Sequence, residues 1–285
     1  MESKYTAIII EPRKHKALEF VLNNFLENLN DDWNIIIYHG NNNIDYLQNI
    51  IDNKLNKYKN RITSKNLNVD NLSINDYNNI MKNREFIDSI PTEMFLIFQT
   101  DTMICEEHKE LIYNYMNYDY VGAPWSSDYL SLGNDIDMNK LSLSSTKYVG
   151  NGGLSLRRKS KMIEILDKCT NYVNEDVYFS YGCKEVDIKK PLIEDAKNFS
   201  IEQIENDKSF GIHKAWAYVN VSENQCKNYN ELVKLNTIQK NLDIQENFDI
   251  QEIKKNTKSK KYIILTIIII IIIVLYIIKI NKRKE

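Results

Sequence analysis

Two carboxylates stand next to each other in the segment NEDVYFSYG, where Glu175 and Asp176 precede an apolar patch. A carboxylate beside an apolar surface can act as a general base that removes a proton from a hydroxyl nucleophile. The same two acids also suit the start of a helix, as the N-cap and a first-turn acid. On this segment alone the helix start is the favoured interpretation.

Asp101 closes the apolar run FLIFQTD, which has the length of a buried strand. In open α/β sheets, ligands bind beyond the carboxyl ends of the strands. An aspartate in that position can hold a divalent cation, which in turn binds a diphosphate and acts on it as a Lewis acid. An aspartate that caps the following helix fits the spacing equally well.

The segment SFGIHKAW combines Gly211, His213, Lys214 and Trp216 within six residues. A neutral imidazole is a metal ligand, a lysine can pair with phosphate, and an indole can stack on a sugar or a base. The structural alternative is a strand with a half-buried histidine and a packed tryptophan. For a single histidine that alternative is usually favoured.

Three of the chain's eight glycines fall within GNGG, Gly150 to Gly153. This segment is not a dinucleotide fingerprint, because Ser155 stands where a third glycine is required, and it lacks the Gly-Lys-Ser/Thr of a P-loop. Two glycines at the start of a strand allow another molecule to approach the backbone closely. We therefore expect a surface that contacts a ligand rather than a phosphate cradle.

These residues need a scaffold, and alternating segments provide one. Buried strands are predicted by the short apolar runs of TAIIIEPR, WNIIIYHGNNN, EMFLIFQTDTMIC and LSLRR. Helices are predicted for ALEFVLNNFLENL, EEHKELIYNYM and SKMIEILDKC, and the first of them places Leu18, Val21, Leu22, Phe25 and Leu29 on one face. The alternation predicts an α/β domain with a mostly parallel central sheet.

Charge divides the chain into two parts. Of the 37 basic and 39 acidic residues, nine basic and one acidic residue lie between Lys254 and Glu285. That end carries a net charge of +8, and the preceding part carries −10. A globular part with this negative charge lacks the broad basic surface of a nucleic-acid binder. We therefore exclude nucleic acid as a partner.

The run Tyr262 to Ile278 holds seventeen residues without a charge, and basic residues flank it on both sides. A membrane-spanning helix needs about 20 mostly apolar residues, with about 17 as the lower bound, and flanking lysines extend the span. We predict four regions: a globular domain over 1–220, a polar helical or disordered stalk over 221–261, a transmembrane helix over 262–280 and a basic tail over 281–285.

The segment MESKYTAIIIEPRKHK does not have the features of a secretory signal. A globular domain followed by one C-terminal span is the pattern of a tail-anchored protein, whose domain faces the cytosol. The cysteines form no CxxC pair and show no metal-binding spacing, so we expect reduced thiols at Cys105, Cys169, Cys183 and Cys226.

The order of eight segments resembles a domain family of unassigned function from large DNA viruses, algae, plants and fungi. The segments are IIIEPR, HGNN, FLIFQTDTMIC, YDYVGAPW, VGNGGLSLRR, NEDVYFS, FSIE and FGIHKAW. That family is itself remotely similar to glycosyltransferases of the GT-A type. The resemblance covers about Ala7 to Trp216 and implies a GT-A-like, Rossmann-like sheet flanked by helices.

On the donor side, the resemblance assigns Asp101 to a metal-binding position, while Gln99 replaces the first acid of the usual Asp-x-Asp motif. FGIHKAW is similar to the closing motif of some GT-A families, which implies His213 as a metal ligand and Lys214 as a contact of the diphosphate. The implied cofactor is Mn²⁺ or Mg²⁺. The implied contacts of the nucleotide sugar, for which UDP is the commonest nucleotide in the superfamily, are Glu11, Arg13, Gln99, Asp101 and Lys214.

On the acceptor side, NEDV resembles the acidic motif of inverting enzymes, with Asp176 as the base and Glu175 as the other candidate. The expected contacts of the acceptor or the sugar are Trp125, Asn151, Gly152, Gly153 and Trp216. The implied reaction transfers a sugar from a nucleotide-sugar donor to a hydroxyl of a glycan or protein, with inversion at the anomeric carbon. A retaining route applies if no carboxylate reaches the acceptor.

Two other functions stay open on the sequence. A catalytically inactive GT-A-like protein could bind glycans or act as a scaffold at a membrane, and Gln99 in place of an acid is its best argument. Retention of Asp101, Asp176, His213 and Lys214 argues against it, because inactive sites seldom keep four chemically matched groups. A nucleotidyltransferase would need a glycine-containing phosphate loop near the first strand, which EPRKHK does not supply.

Overall fold

The computed structural model describes residues 3–126, 148–170 and 174–245. The chain divides into two compact units, Met1–Asn236 and Thr237–Glu285, and the described part of the second unit, 237–245, is helical. The predicted transmembrane helix, the basic tail and part of the predicted stalk lie outside the described residues. Within the described residues, no helix has both the length and the apolar character needed to cross a membrane.

The first unit is an α/β structure. Its described strands are β1 (Tyr5–Ile10), β2 (Trp33–His39), β3 (Ile62–Asn66), β4 (Met94–Phe98), β5 (Thr102–Ile104), β6 (Tyr120–Gly122), β7 (Leu154–Arg158), β8 (Ser200–Ile201) and β9 (Gly211–His213). Its α-helices include α1 (Leu18–Asn28), α2 (Ile44–Asn53), α3 (Ile74–Met81), α4 (Arg84–Asp88), α5 (Lys159–Lys168), α6 (Glu175–Tyr181) and α7 (Ile193–Ala196). Short 3₁₀ helices cover Asn56–Arg61, Glu106–Tyr115 and Ala215–Ala217.

The central sheet has the strand order β3-β2-β1-β4-β7-β6. Strand β1 is parallel to both of its neighbours, so that Ala7 lies beside Ile35 of β2 and Leu96 of β4. Strand β3 is parallel to β2, whereas β7 is antiparallel to β4 and β6. The predicted α/β fold with a mostly parallel sheet is therefore confirmed.

Apolar clusters cover both faces of this sheet, which explains why its central strands are unbroken apolar runs. Ile9 of β1 packs on one face with Leu22 and Phe25 of α1. Ile8 packs on the other face with Met162 of α5 and Phe179 of α6. The predicted apolar face of α1 is also confirmed, since all of its members are buried: Leu18, Val21, Leu22, Phe25 and Leu29.

Two predicted elements differ from the structure. The predicted strand EMFLIFQTDTMIC divides into β4 and β5, because the amide and the hydroxyl of Thr102 both donate to the carbonyl of Gln99 and turn the chain. Strand β5 then enters a second sheet of order β5-β9-β8. The predicted helix EEHKELIYNYM is a 3₁₀ helix, whose buried residues Ile112 and Tyr115 have the three-residue spacing of that geometry.

All four cysteines are paired, so the prediction of reduced thiols is wrong. Disulfides join Cys105 to Cys226 and Cys169 to Cys183, across 121 and 14 residues of sequence. Cys105 directly follows β5, and the second pair brackets α6. No local motif marks these partners, because only the folded chain brings them together.

Candidate active site

The register of the small sheet aligns three side chains at one edge. Strand β5 begins directly after Asp101, and its first residue pairs with His213, the last residue of β9. Strand β8 is parallel to β9 up to the pair Ile201–Ile212, and Glu202 is the next residue after β8. Asp101, Glu202 and His213 therefore lie side by side where these strands meet.

His213 lies between two carboxylates. Its Nε2 is 3.5 Å from Oδ1 of Asp101, and its Nδ1 is 3.4 Å from Oε1 of Glu202. His213 and Glu202 are only 7% and 4% exposed. Among the described residues, Asp101 Oδ1, His213 Nδ1 and Glu202 Oε2 are buried without a hydrogen-bond partner. Buried polar atoms are normally paired, so this histidine cluster (Asp101, Glu202 and His213) lacks some of the hydrogen bonds that its atoms can make.

The charges of the cluster stabilise one another. Burial by itself lowers the pKa of His213, but the charge of Asp101, followed by Glu202, outweighs it and raises the pKa to about 10. Burial raises the pKa of Asp101, but the charge of His213 more than reverses this effect and leaves the pKa below its ordinary value. In this form of the cluster an imidazolium stands between two carboxylates.

The same atoms fit a divalent cation. Asp101 Oδ1 and His213 Nε2 face each other closely enough to share one ion, and a carboxylate with an imidazole suits Mn²⁺. Glu202 contacts the other ring nitrogen, and the described residues contain no group of three ligands that would enclose a metal. A site with two protein ligands suits an ion that completes its shell with phosphate and water. The metal at Asp101 and His213 stays a prediction.

The two acids at the start of α6 have different environments. Glu175 is buried and forms a bidentate salt bridge with Arg157 of β7, with Nη1–Oε2 and Nη2–Oε1 distances of 2.5 and 3.1 Å. Asp176 accepts the amide of Val177 at 2.8 Å. Burial, then the charge of Glu175, raises the pKa of Asp176 to about 7. A carboxylate with this pKa is suited to general-base chemistry near neutral pH.

Helix α3 and strand β7 hold this pair in place. The amide of Glu175 donates to Oδ1 of Asn78 in α3 at 2.6 Å. Arg157 makes two further hydrogen bonds: its Nε donates to Ser155 Oγ at 2.9 Å, and its Nη2 donates to the carbonyl of Gly152 at 3.4 Å. The first turn of α6 is therefore fixed at its backbone and at its buried acid, while Asp176 retains oxygen capacity for a ligand.

The GNGG segment joins the two clusters. A Cβ on Gly152 would lie 2.6 Å from the Glu175 carboxylate, and one on Gly153 would lie 2.2 Å from Nε2 of His213. Asn151, which precedes Gly152, is buried, and its side-chain oxygen accepts the amide of Gly153 at 2.9 Å. At these positions the close approach predicted for a ligand is made by the chain's own side chains. The glycines place the acidic helix and the histidine next to one loop.

A cleft of about 390 Å³ opens at the carboxyl ends of β1 and β4. Its lining includes Ile10, Glu11, Pro12, Arg13, Asn71, Leu72, Ser73, Ile74, Tyr77, Gln99, Thr100 and Asp101. Glu11 forms a bidentate pair with Arg13 at 2.9 Å for both contacts, and the side chain of Gln99 hydrogen-bonds to Tyr77. Four of the five residues predicted for nucleotide-sugar binding thus line one cleft, and Asp101 belongs both to the cleft and to the histidine cluster.

The remaining predicted residues lie elsewhere. Lys214 is exposed next to the histidine cluster, and its amide donates to the carbonyl of Asp101 at 2.9 Å. Trp125 is 3% exposed and stacks on Tyr181 with 6.3 Å between ring centroids. Trp216 is half-buried and packs against Tyr229 at 6.4 Å. Both indoles contact the chain's own rings, and their predicted contacts with a sugar stay a prediction.

Sequence reasoning missed Glu202 and Arg157. Glu202 ends the segment FSIE, which belonged to the resemblance but received no role. Arg157 lies in the apolar strand LSLRR, and a charge in a buried strand indicates a buried partner because a fully buried arginine is almost always paired. That signal was present, but it does not identify Glu175 as the partner.

Comparison with known proteins places the chain by family and by fold. A family model described as "Protein of unknown function (DUF5672)" matches residues 61–213. No curated protein matches the sequence. Among solved structures, the galactosyltransferase LgtC in complex with donor and acceptor sugar analogs has a TM-score of 0.51 at 10% identity, covering 81% of this chain and 94% of LgtC. At that identity the likeness extends to the fold alone.

Two further similar structures are less close. Residues 1–349 of TarS from S. aureus, in complex with UDP-GlcNAc, have a TM-score of 0.46 at 12% identity, covering 83% of this chain and 66% of that one. The mannosyltransferase PcManGT from Pyrobaculum calidifontis, in complex with GDP-Man and Mn²⁺, has a TM-score of 0.43 at 10% identity, covering 62% of this chain and 50% of that one. The chain spans less than two thirds of the length of either protein.

Proposed function

The chain belongs to the DUF5672 family of proteins of unknown function, and we propose that it is a glycosyltransferase which moves a sugar from a nucleotide-sugar donor to a hydroxyl of a glycan or protein. One observation carries the proposal. Two adjacent glycines of one loop pack against helix α6, which carries two carboxylates, and against His213, whose neighbour Asp101 lines the cleft at the strand ends. This arrangement supplies a base and a site for a leaving diphosphate on the two sides of one loop.

The donor side consists of the cleft and the histidine cluster. Glu11, Arg13 and Gln99 line the cleft and would contact the nucleotide, while exposed Lys214 would pair with the diphosphate. Asp101 and His213 would hold Mn²⁺ or Mg²⁺, which when bound neutralises the negative charge that develops on the departing nucleoside diphosphate. These residues bind the donor and orient its diphosphate so that the anomeric carbon faces α6.

The acceptor side depends on Asp176. Its carboxylate takes the proton of the acceptor hydroxyl, and that oxygen forms a new bond to the anomeric carbon. The bond between this carbon and the phosphate oxygen breaks, and the nucleoside diphosphate leaves with the electron pair. Attack from the face opposite the leaving group inverts the anomeric configuration. Glu175 stays in its salt bridge to Arg157 and so holds in place the first turn of α6, which carries Asp176.

Membrane attachment is part of the proposal. The predicted transmembrane helix over 262–280 would anchor the chain, and the tail-anchored pattern would place its domain in the cytosol. The two disulfides instead favour an oxidising compartment. Electrophoretic mobility after enzymatic deglycosylation separates these orientations, because only a lumenal domain would carry glycans at the sequons of Asn71, Asn198 and Asn220.

The test of the transferase uses the full-length chain in detergent with a panel of nucleotide sugars, with and without Mn²⁺. Release of nucleoside diphosphate and thermal stabilisation are measured for wild type, Asp101→Ala and Asp176→Asn. We expect one donor to bind in the presence of metal, Asp101→Ala to lose this binding, and Asp176→Asn to bind but turn over about 10²- to 10⁴-fold more slowly.

Asp187→Asn, which alters an exposed carboxylate, is the matched control and should behave as wild type. If no nucleotide sugar binds under any metal condition, the catalytic proposal fails. A glycan-binding or scaffold protein at a membrane then becomes the better explanation of the same fold.

A further inference from the structure

Glu202 takes no part in the proposed reaction, although it is one of the most buried acids of the domain. We propose that Glu202 is a positioning residue that accepts the Nδ1 proton of His213 and so directs Nε2 toward Asp101 and the divalent cation. This inference rests on the proposed function, since it concerns the same donor site. It names Glu202, through His213, as a determinant of metal binding.

The contacts of Glu202 support this role. Its Oε1 lies 3.4 Å from His213 Nδ1, on the side of the ring away from Asp101, and this contact is an ion pair rather than a formed hydrogen bond. Within the described residues, this is the one ion pair of Glu202, and its Oε2 has no hydrogen-bond partner. A buried carboxylate is costly unless it is paired. Its single pairing with an imidazole nitrogen therefore indicates that the Glu202 carboxylate serves to hold His213.

The backbone places the carboxylate with little freedom. Strands β8 and β9 are parallel and pair Ser200 with Gly211 and Ile201 with Ile212, so Glu202 enters at the level of His213. The other side of the ring is limited by Gly153, where even a methyl group would lie 2.2 Å from Nε2. His213 is thus held between a carboxylate at one ring nitrogen and a glycine loop near the other.

The chemistry of imidazole makes the choice of nitrogen matter. A neutral histidine has one N–H and one lone pair, and a hydrogen bond from one nitrogen decides which nitrogen can bind a metal. Metal-binding histidines usually donate their other N–H to a carboxylate or carbonyl, which orients the ring and makes it a better ligand. With Glu202 as the acceptor at Nδ1, the lone pair of Nε2 faces Asp101. Without it, the proton is free to occupy Nε2, where it blocks the ion.

The first test measures the affinity of the full-length chain for Mn²⁺ by electron paramagnetic resonance, with UDP present and absent. We expect Glu202→Ala to weaken Mn²⁺ binding by about 10- to 100-fold. Glu202→Gln should retain most of the affinity, because its amide oxygen still accepts the Nδ1 proton. Glu205→Ala, which alters an exposed acid three residues further on, should bind as wild type.

The second test reads the tautomer directly in the wild type. Long-range ¹H–¹⁵N spectra of the ¹⁵N-histidine-labelled wild type with Mg²⁺ and UDP should show the proton of His213 on Nδ1. The signal is assigned by its loss in His213→Asn. A proton on Nε2 instead would overturn the role of Glu202.

The outcomes separate the two proposals. If Asp101→Ala and His213→Ala lose Mn²⁺ while Glu202→Ala binds it as tightly as wild type, only the positioning role is overturned. If wild type itself does not bind Mn²⁺ with or without UDP, the metal-assisted donor site fails, and the positioning role fails with it. Loss in Asp101→Ala, His213→Ala and Glu202→Ala, with recovery in Glu202→Gln, supports both.

Discussion

Two clusters of the same domain each combine two carboxylates with one cationic side chain, yet they are arranged differently. In the arginine cluster (Arg157, Glu175 and Asp176), the guanidinium is bidentate to one acid, and the other acid is left out. In the histidine cluster (Asp101, Glu202 and His213), the imidazole is shared between the two acids at 3.5 and 3.4 Å.

This difference suits the arginine cluster to a structural role and the histidine cluster to ligand binding. Arginine offers five donors in a plane, and Arg157 makes four hydrogen bonds, to Glu175, Ser155 and Gly152, so both oxygens of Glu175 are paired without a ligand. Histidine offers one nitrogen to each side, and three atoms of its cluster remain without hydrogen-bond partners in the described chain. The arginine cluster fixes Asp176 in place, whereas the histidine cluster is completed by what it binds.

Removal of a disulfide should have the largest effect on stability. Each of the two clusters lies next to one disulfide. Cys105–Cys226 adjoins the small sheet of the histidine cluster, and Cys169–Cys183 brackets helix α6 of the arginine cluster. In the chain-entropy model the long loop contributes about 5 kcal/mol and the short one about 3 kcal/mol. Urea unfolding of Cys105→Ala/Cys226→Ala and of Cys169→Ala/Cys183→Ala should reproduce that order.

The reduced wild type is the control and should lose more than either double variant. Suppose instead that the variant lacking the short disulfide is the less stable of the two. Loop length then does not govern these bonds, and α6 depends on its disulfide more than on Arg157.

The next prediction removes the cation of the arginine cluster. Arg157→Met leaves the Glu175 carboxylate buried and unpaired, which should lower the free energy of unfolding by about 3–5 kcal/mol. Arg158→Met, on the same strand, removes a partly exposed pair with Asp119 and hydrogen bonds to the carbonyls of Met116 and Tyr118. Because Asp119 is left partly hydrated, the loss should be smaller, about 1–2 kcal/mol. Chemical denaturation measures both.

A double variant separates charge from packing. Arg157→Met/Glu175→Met has no buried charge left and should recover most of the loss. A double variant as unstable as Arg157→Met alone would show that the guanidinium contributes mainly by filling space between β7 and α6. The contrast with the histidine cluster would then lose its electrostatic basis.

The sequence predicted the strands that carry these clusters better than the clusters themselves. Apolar runs specify β1, β2 and β4, because parallel strands buried on both faces need apolar side chains at nearly every position. Asp101, Asp176 and His213 were recognised because carboxylates and a histidine stand at the ends of such runs. Their assembly around one loop depends on pairing between β5, β8 and β9, which are three residues long or shorter.

Other features of the fold and the site could not be predicted from any local sequence pattern. The turn at Gln99–Thr102 that separates β4 from β5 arises from hydrogen bonds of a threonine, which composition does not predict. Glu202 and Arg157 acquire their roles only from partners that lie 11 and 18 residues away in sequence. The disulfide partners are likewise defined by the folded chain.

The loop between the clusters provides a smaller test. Gly153→Ala would place a methyl group 2.2 Å from His213 Nε2, so the ring must move. We expect a loss of about 1–3 kcal/mol in unfolding free energy together with weaker Mn²⁺ binding. Gly150→Ala is the matched control, because its methyl group meets Ser180 and Trp125 instead. It should destabilise the fold and leave Mn²⁺ binding unchanged, and equal Mn²⁺ affinities of the two variants would contradict the loop's part in placing His213.

The smallest predicted effect concerns Asp176, the acid that the arginine cluster leaves unpaired. Its pKa is raised to about 7 in the folded chain from an ordinary value of 3.8, so the folded state holds this proton more tightly than the unfolded state. Stability from this group is therefore complete at acidic pH and is lost as the pH rises toward 7. Asp176→Asn cannot lose that proton, and above pH 7 it should be more stable than wild type by about 1–2 kcal/mol, less than the full shift implies because the side chain is partly exposed.

Thermal and urea unfolding of the wild type, Asp176→Asn and the exposed control Asp187→Asn at pH 5 and pH 8 measure this difference. The gain should be larger at pH 8 than at pH 5, and Asp187→Asn should show no such trend. A carboxylate that destabilises its own fold at working pH is expected where a base is kept ready for an acceptor. If Asp176→Asn is instead less stable at both values, Asp176 is a satisfied structural acid like Glu175, and the contrast between the two acids of α6 disappears.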